Sequence, residues 1–207
     1  MTGTAVGTGM GMGIREMTVA DVDAVTALRA QGWRSAYAGI VPASYLDAME
    51  PGADAVRWRG RFARPRPDAV ELVAVDGGVP VGWIAAGPGR DPEPGGPGGA
   101  EGTDGGEGTD GGEGPTGEIY ALYVRPDRIG RGFGRALLTA AHEGLAARGN
   151  RAVVLWVLRD NHPGRRFYTR AGYAADGASR DDVYDGATLV ELRHRRRITA
   201  AGATAAG

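Results

Sequence analysis

Residues 118–158 constrain the fold more than any other stretch of the chain. EIYALYV (118–124) is rich in aromatic and β-branched residues and reads as a strand. Pro126 ends it, because proline has no amide to give to a ladder. Gly130, Gly132 and Gly134 then lead into a run in which Phe133, Leu137, Leu138, Ala141 and Leu145 share one helical face, stopped by Gly149. AVVLWVL (152–158) is a near-continuous apolar run, as expected of a strand buried on both faces. Strand, glycine loop, helix and strand make one right-handed β-α-β unit. The chain is therefore α/β.

The flanking sequence fits around that unit. Residues 14–17 read as a short strand, followed by Thr18 as helix N-cap with Asp21 three residues on. Val22, Val25, Leu28 and Trp33 recur at helical spacing within 19–37. VPASYLDAM and ADAVRWRGRFA read as shorter helices. Two β-rich runs, 70–75 and 79–86, flank Asp76-Gly77-Gly78 and make a hairpin. After residue 158 come a short helix, with Asn161 as cap and Gly172 as stop, and a last strand at 187–193. The basic run 193–197 reads as a solvated strand end. One domain over 14–197 is expected, with disordered segments at 1–13 and 198–207.

Between the hairpin and residue 118 lies a Gly/Pro/acidic stretch, 87–117, in which EGTDGG occurs twice in succession. Calcium β-roll repeats have period nine and a large apolar residue in each unit. This repeat has period six and none, so it has nothing to build a roll from. A linker between domains and an insertion within one domain remain. The stretch holds seven acids and one base, Arg90, which leaves 23 basic against 18 acidic residues elsewhere. That mild excess suits an anionic small ligand. It is too weak for nucleic acid, which calls for a concentrated basic face.

The chain has no cysteine, which excludes disulfides, thiolate metal sites and a cysteine nucleophile. No metal is expected. No apolar run approaches the ~20 residues of a membrane span, and the N-terminus lacks the basic and apolar regions of a secretory signal. A cytoplasmic protein is the expectation.

The chemistry concentrates in VRPDRIGRGFGRALL. Glycines between a strand end and a helix start let the backbone approach a ligand, and the first helical turn offers unpaired amides and a positive dipole end. Arg131 and Arg135 there oppose the dipole at ~0.3–1 kcal/mol each unless an anion offsets them; the alternative is that both point into solvent. A kinase-type P-loop needs a lysine, and the chain has none. A Rossmann loop needs a third Gly or Ala where Arg135 or Leu137 stands, although Asp160 mimics its ribose-binding acid.

At this point the sequence resembles a known family. IGRGFG, on Ile129, Gly130, Arg131, Gly132, Phe133 and Gly134, is similar to the acetyl-CoA motif Gln/Arg-x-x-Gly-x-Gly/Ala of the GNAT superfamily of N-acetyltransferases, with Ile129 in the first position. NHPGRRFYTRAGY (161–173) resembles the family's next segment, with Gly164 where Ala is usual. The resemblance covers 14–193. It implies a GNAT fold, a central mixed and mostly antiparallel β-sheet flanked by helices. The acidic stretch then becomes an overgrown, disordered hairpin loop between the third and fourth strands rather than a linker.

The resemblance implies acetyl-CoA as cosubstrate, an amine acceptor, and direct transfer in a ternary complex. The pyrophosphate is held by the backbone of 129–135, and pantetheine by the main chain at Leu122 and Val124. Asn161 matches a position that contacts the CoA arm, or is simply a helix cap. Tyr168 falls on the general-acid tyrosine and Glu118 on a general-base position; a water relay is the alternative to Glu118. Strand alternation puts Glu118, Tyr120, Leu122 and Val124 on one face, toward the cleft. Trp33, Tyr37 and Tyr45, with Tyr120 across from them, line the acceptor site. A homodimer is in keeping with the family. A catalytically idle acyl-CoA-binding sensor or assembly module on the same fold is the competing reading.

Overall fold

The computed structural model describes residues 11–62, 64, 66–90 and 114–198. Seven strands form one sheet: β1 (Met12–Glu16), β2 (Val70–Asp76), β3 (Val79–Pro88), β4 (Thr116–Val124), β5 (Ala152–Leu158), β6 (Ala174–Tyr184) and β7 (Ala187–Arg197). Their spatial order is β1-β2-β3-β4-β5-β7-β6. Only β4 and β5 run parallel, so the sheet is mixed and mostly antiparallel, as expected. The helices are α1 (Val22–Ala36), α2 (Ala43–Asp47), α3 (Pro51–Phe62), α4 (Phe133–Ala147) and α5 (His162–Arg170).

Helix α4 covers one face of the sheet. Phe133, Leu137, Leu138, Ala141 and Leu145 bury against Val70, Ala74, Ile84 and Leu155. Contact is close enough that a Cβ added to Gly82 on β3 would lie 2.9 Å from Leu137 Cδ1, so any side chain there forces the buried Leu137 side chain to shift. The opposite face is covered by α1 and α3, whose Val22, Val25, Leu28 and Ala55 meet Val73, Trp83 and Ala85. A third cluster at the far end joins Val41 and Leu46 to Leu158 and Tyr184.

The entry to α1 is fastened by Asp21. Its carboxylate accepts from the Thr18 amide at 2.8 Å and hydroxyl at 2.9 Å, and takes two Arg15 N–H groups at 2.7 Å each. The Arg15 fork, more than any other contact, lowers the Asp21 pKa to about 2. Residues 19–21, read as helix, form a 3-10 turn ahead of α1.

Several boundaries differ from the sequence reading. β1 starts at Met12, because Met12 and Gly13 pair with Asp76 and Val75. Ile198 is buried and its amide donates to Arg151 O at 2.9 Å, so the fold extends one residue into the expected tail. The basic run 193–197 is not a solvated end: it lies in β7, between β5 and β6, and His194 is 3% exposed. The run is tolerated there because its guanidinium groups find partners within the fold: Arg193 Nε donates to Asp176 Oδ2 at 2.7 Å and Arg195 Nη2 to Thr116 Oγ1 at 3.3 Å. Arg193 and Arg180 both lie over the Trp156 ring, at 5.8 and 4.3 Å.

Strand β3 also runs to Pro88 and β4 begins at Thr116, so the described hairpin reaches into 87–117 from both sides. The repeat itself falls outside the described residues. None of the described helices is long and apolar enough to cross a membrane.

Candidate active site

The site begins with a gap in the sheet. β4 and β5 pair only from Thr116 opposite Ala152 to Ile119 opposite Leu155. Beyond that point both continue, to Val124 and Leu158, without pairing to one another. A register shift on the other side of β4 marks the same place: Ala86 pairs with Ile119, Ala85 with Ala121, and Tyr120 is left over as a bulge.

That bulge overturns the expected alternation. Ile119, Leu122 and Val124 pack with the α4-side core, whereas Tyr120, Ala121 and Tyr123 pack with the α1/α3-side core. Glu118, Tyr120, Leu122 and Val124 therefore do not share a face. One extra residue inverts the parity of everything after it.

The glycine loop lies between Val124 and α4. Gly130 (φ +83°) and Gly132 (φ +90°) adopt the left-handed backbone that other residues resist. A Cβ on Gly134 would make only ordinary contacts, 3.5 Å to the Phe167 ring and 3.6 Å to Val124 Cγ2. Those contacts show that the start of α4, the end of β4 and α5 converge here. The amide of Ala136 is the first to reach back into the helix, to Gly132 O at 3.0 Å, and no side chain caps the turn. The amides of Phe133, Gly134 and Arg135 thus lack a helical acceptor. Arg131 and Arg135 are exposed and Phe133 is buried in the core. Ile129 is 66% exposed, an isoleucine standing in water beside the loop.

Tyr168 is half-buried on α5, its ring 5.1 Å from that of Phe167 and 5.8 Å from that of Tyr173. Burial, with a smaller contribution from Tyr37, pushes its pKa well above that of a free phenol. The group stays protonated throughout the physiological range. Tyr37 on the far side of the gap interacts with the side chains of Tyr123 and Asn161. Asn161 is buried, and its Oδ1 accepts from the Gly164 amide at 3.0 Å, capping α5. A Cβ on residue 164 would lie 2.6 Å from Asn161 Nδ2, which accounts for glycine where the resemblance leads one to expect alanine.

Glu118 sits at the closed end of the gap and is 1% exposed. Arg90 engages it from both main chain and side chain. The Arg90 amide donates to Oε2 at 3.0 Å, Nε reaches both oxygens at 3.1 Å, and Nη2 pairs with Oε1. The guanidinium also lies 4.5 Å from the Tyr120 ring centroid, and the Tyr120 hydroxyl donates to Pro88 O at 2.6 Å. Tyr120 thus belongs to a clamp around Arg90. Trp33, Tyr37 and Tyr45 come together elsewhere, joined by Tyr184: Trp33 lies 4.7, 5.7 and 5.9 Å from the other three rings. The Trp33 Nε1 is buried without a hydrogen-bond partner.

Sequence reasoning missed Arg90, Tyr123 and Tyr184. Arg90 carried a signal, being the single base in an acidic stretch. Tyr123 and Tyr184 carried none, since their neighbours are distant in sequence: Tyr37 and Trp83 for Tyr123, Trp33 and Tyr45 for Tyr184. Among the described residues no group of three His, Asp or Glu is placed to hold a metal ion.

Comparison with known proteins agrees with this geometry. Residues 33–173 match the model of the acetyltransferase (GNAT) family. An uncharacterized N-acetyltransferase of Bacillus subtilis, YuaI, is 26% identical over 155 residues, covering 75% of this chain and 76% of its own. Mycothiol acetyltransferase of Clavibacter michiganensis is 50% identical over 56 residues, which span 27% of this chain but 18% of that protein. Among solved structures, the PaiA N-acetyltransferase of Thermoplasma acidophilum in complex with coenzyme A superposes with a TM-score of 0.61 at 18% identity, covering 91% of this chain and 99% of that one. YncA of Salmonella typhimurium, solved with acetyl-CoA, gives 0.60 at 20% identity over 95% and 99%. A strand pair that parts beside a glycine-cradled helix start, matched by the family model over most of its length, means that this chain belongs to the GNAT family of acetyltransferases.

Proposed function

We propose that the protein transfers the acetyl group of acetyl-CoA directly to a primary amine of a small molecule or peptide. The observation that carries this is the convergence at the β4/β5 gap of a protonated tyrosine, Tyr168, with the free amides at the start of α4. Those amides and the left-handed turn at Gly130 and Gly132 suit a pyrophosphate. The parted strand edge of β4, at Leu122 and Val124, leaves main-chain groups for the pantetheine arm.

Tyr168 serves as general acid. As the C–S bond of the thioester breaks and the C–N bond forms, its phenol gives a proton to the departing sulfur. The ammonium of the acceptor must first lose a proton. Glu118 is the acid nearest in kind, but Arg90 occupies both of its oxygens. Glu118 therefore acts as the anchor of Arg90, and water in the gap takes the proton. Trp33, Tyr37, Tyr45 and Tyr184 wall the acceptor end, where four aromatic rings suit an amine with an apolar body.

The occupied state of Glu118 is also the observation that favours an idle acyl-CoA-binding module. Calorimetry with acetyl-CoA followed by thiol-release assays over a panel of amines separates the two. Binding with turnover on any amine supports the enzyme; binding without turnover on all of them supports the module.

A further inference from the structure

Ile129 occupies the position at which the resembling motif carries Gln or Arg, and its side chain is turned out into water. The basic residue that the structure does build into the loop is its neighbour. Arg128 ends the 3-10 turn Pro126–Arg128 that runs directly into the glycines. Its Nε donates to Asp76 Oδ2 at 3.0 Å, across 52 residues of sequence, and its Nη1 donates to Asp127 Oδ2 at 2.7 Å. Asp127 in turn takes Arg125 Nε at 2.6 Å and Nη2 at 3.0 Å. The main chain follows the same path: Arg125 N donates to Val81 O at 2.8 Å, Arg128 N to Arg125 O at 2.8 Å, and Arg131 N to Arg128 O at 3.4 Å.

These contacts make an alternating ladder, Arg125–Asp127–Arg128–Asp76. It ties the β2–β3 turn to the segment that feeds the left-handed glycines. The ladder has two physical consequences. It fixes the start of a loop whose glycines would otherwise sample many backbone states. It also neutralises two carboxylates beside a place meant for an anion, where an unpaired Asp76 or Asp127 would repel phosphate. Arg131 on the loop and Arg135 in the first turn of α4, by contrast, stand exposed.

We propose that Arg128 is the positioning residue of the pyrophosphate cradle, holding Gly130 and Gly132 through Asp76 and Asp127 without itself touching the cosubstrate. The proposal rests on the acetyl-CoA reading given above, and it specifies which ligand fragment each variant affects. S-acetylpantetheine, which ends before the pyrophosphate, reports on the gap without the cradle.

The test is calorimetry of coenzyme A and S-acetylpantetheine with the full chain and its variants, alongside thermal melts. For Arg128→Ala, the dissociation constant for coenzyme A rises about 10-fold, following the loss of one charge-assisted contact. That for S-acetylpantetheine stays within twofold. Arg128→Lys, which keeps the charge and loses the fork, recovers part of the affinity. Asp76→Asn, a substitution at the partly buried end of β2, weakens coenzyme A binding in the same direction and serves if Arg128→Ala does not fold. Coenzyme A affinity unchanged in both Arg128→Ala and Asp76→Asn overturns the proposal. So does an equal loss for the two ligands, which would mark a general structural defect. Failure of the wild-type chain to bind coenzyme A would instead overturn the acetyl-CoA reading, and this proposal with it.

Discussion

The α4 side of the β4/β5 gap and the side proposed for the acceptor are built in opposite ways. On the α4 side the chemistry belongs to the main chain, with left-handed glycines, uncapped amides and a parted strand edge. On the side proposed for the acceptor stand side chains, four packed rings in one cluster and, apart from them, a carboxylate paired with an arginine. A main-chain site tolerates side-chain substitution and can keep one ligand while the rest of the sequence drifts. A side-chain site changes with every substitution, so it sets what is peculiar to this protein.

Variants on the two sides should therefore fail differently. The largest effect is expected at Tyr168, the side chain proposed as general acid. Tyr168→Phe should lower kcat by about 100-fold or more, with the dissociation constant of acetyl-CoA within twofold of wild type by calorimetry. An unchanged kcat removes Tyr168 from the acid role.

Next comes Gly132. At φ +90° an alanine is strained by about 1–2 kcal/mol, and the turn relieves the strain by moving. Gly132→Ala should weaken coenzyme A binding about 10-fold, whereas Ile129→Ala, an exposed side chain beside the same loop, should leave it within twofold. Equal effects would mean that the cradle is not a main-chain device.

Glu118 tests the acceptor side. As an anchor for Arg90, Glu118→Gln should lower the melting temperature while the low-pH limb of the rate profile stays in place. A limb that moves or vanishes would make Glu118 the base and Arg90 a group that must withdraw.

A smaller, purely structural effect is expected at Asp21. Its folded pKa of about 2 lies below the unfolded value of about 3.9. Its stabilisation is thus present above pH 4 and lost as pH falls toward 2. Arg15 is partly exposed, so screening reduces the contribution to about 1–2 kcal/mol. Asp21→Asn should cost that much in denaturant melts at pH 7, and the gap to wild type should close on acidification. A gap that stays constant with pH would mean that the Arg15 fork contributes little. Smallest of all, deletion of 91–113 should leave melting and coenzyme A binding unchanged, since Gly89 N already bonds Thr116 O at 3.0 Å and brings the hairpin ends together.

The sequence made the cosubstrate side legible because main-chain devices leave local marks. Glycines at fixed offsets, a proline stop and an apolar helical face all lie within 40 residues of one another. The acceptor side left no such marks. The bulge at Tyr120 breaks the strand's period of two without any residue that announces it, so the faces of Leu122 and Val124 were assigned to the wrong side. The pairing of Arg90 with Glu118, 28 residues away, depends on how the hairpin closes. A run of arginines reads as solvated, whereas in β7 His194 is buried and the Arg193 guanidinium lies over Trp156 and pairs with Asp176, contacts that come from other strands. Local rules see local causes, and the specific half of this site is made by long-range ones.

The most direct test of the account is a thiol-release assay with acetyl-CoA over a panel of primary amines, run in parallel on wild type and Tyr168→Phe. The account predicts release with at least one amine by wild type and a loss of about 100-fold or more in the variant. Acetyl-CoA binding with no release on any amine, or equal release by both proteins, would contradict it.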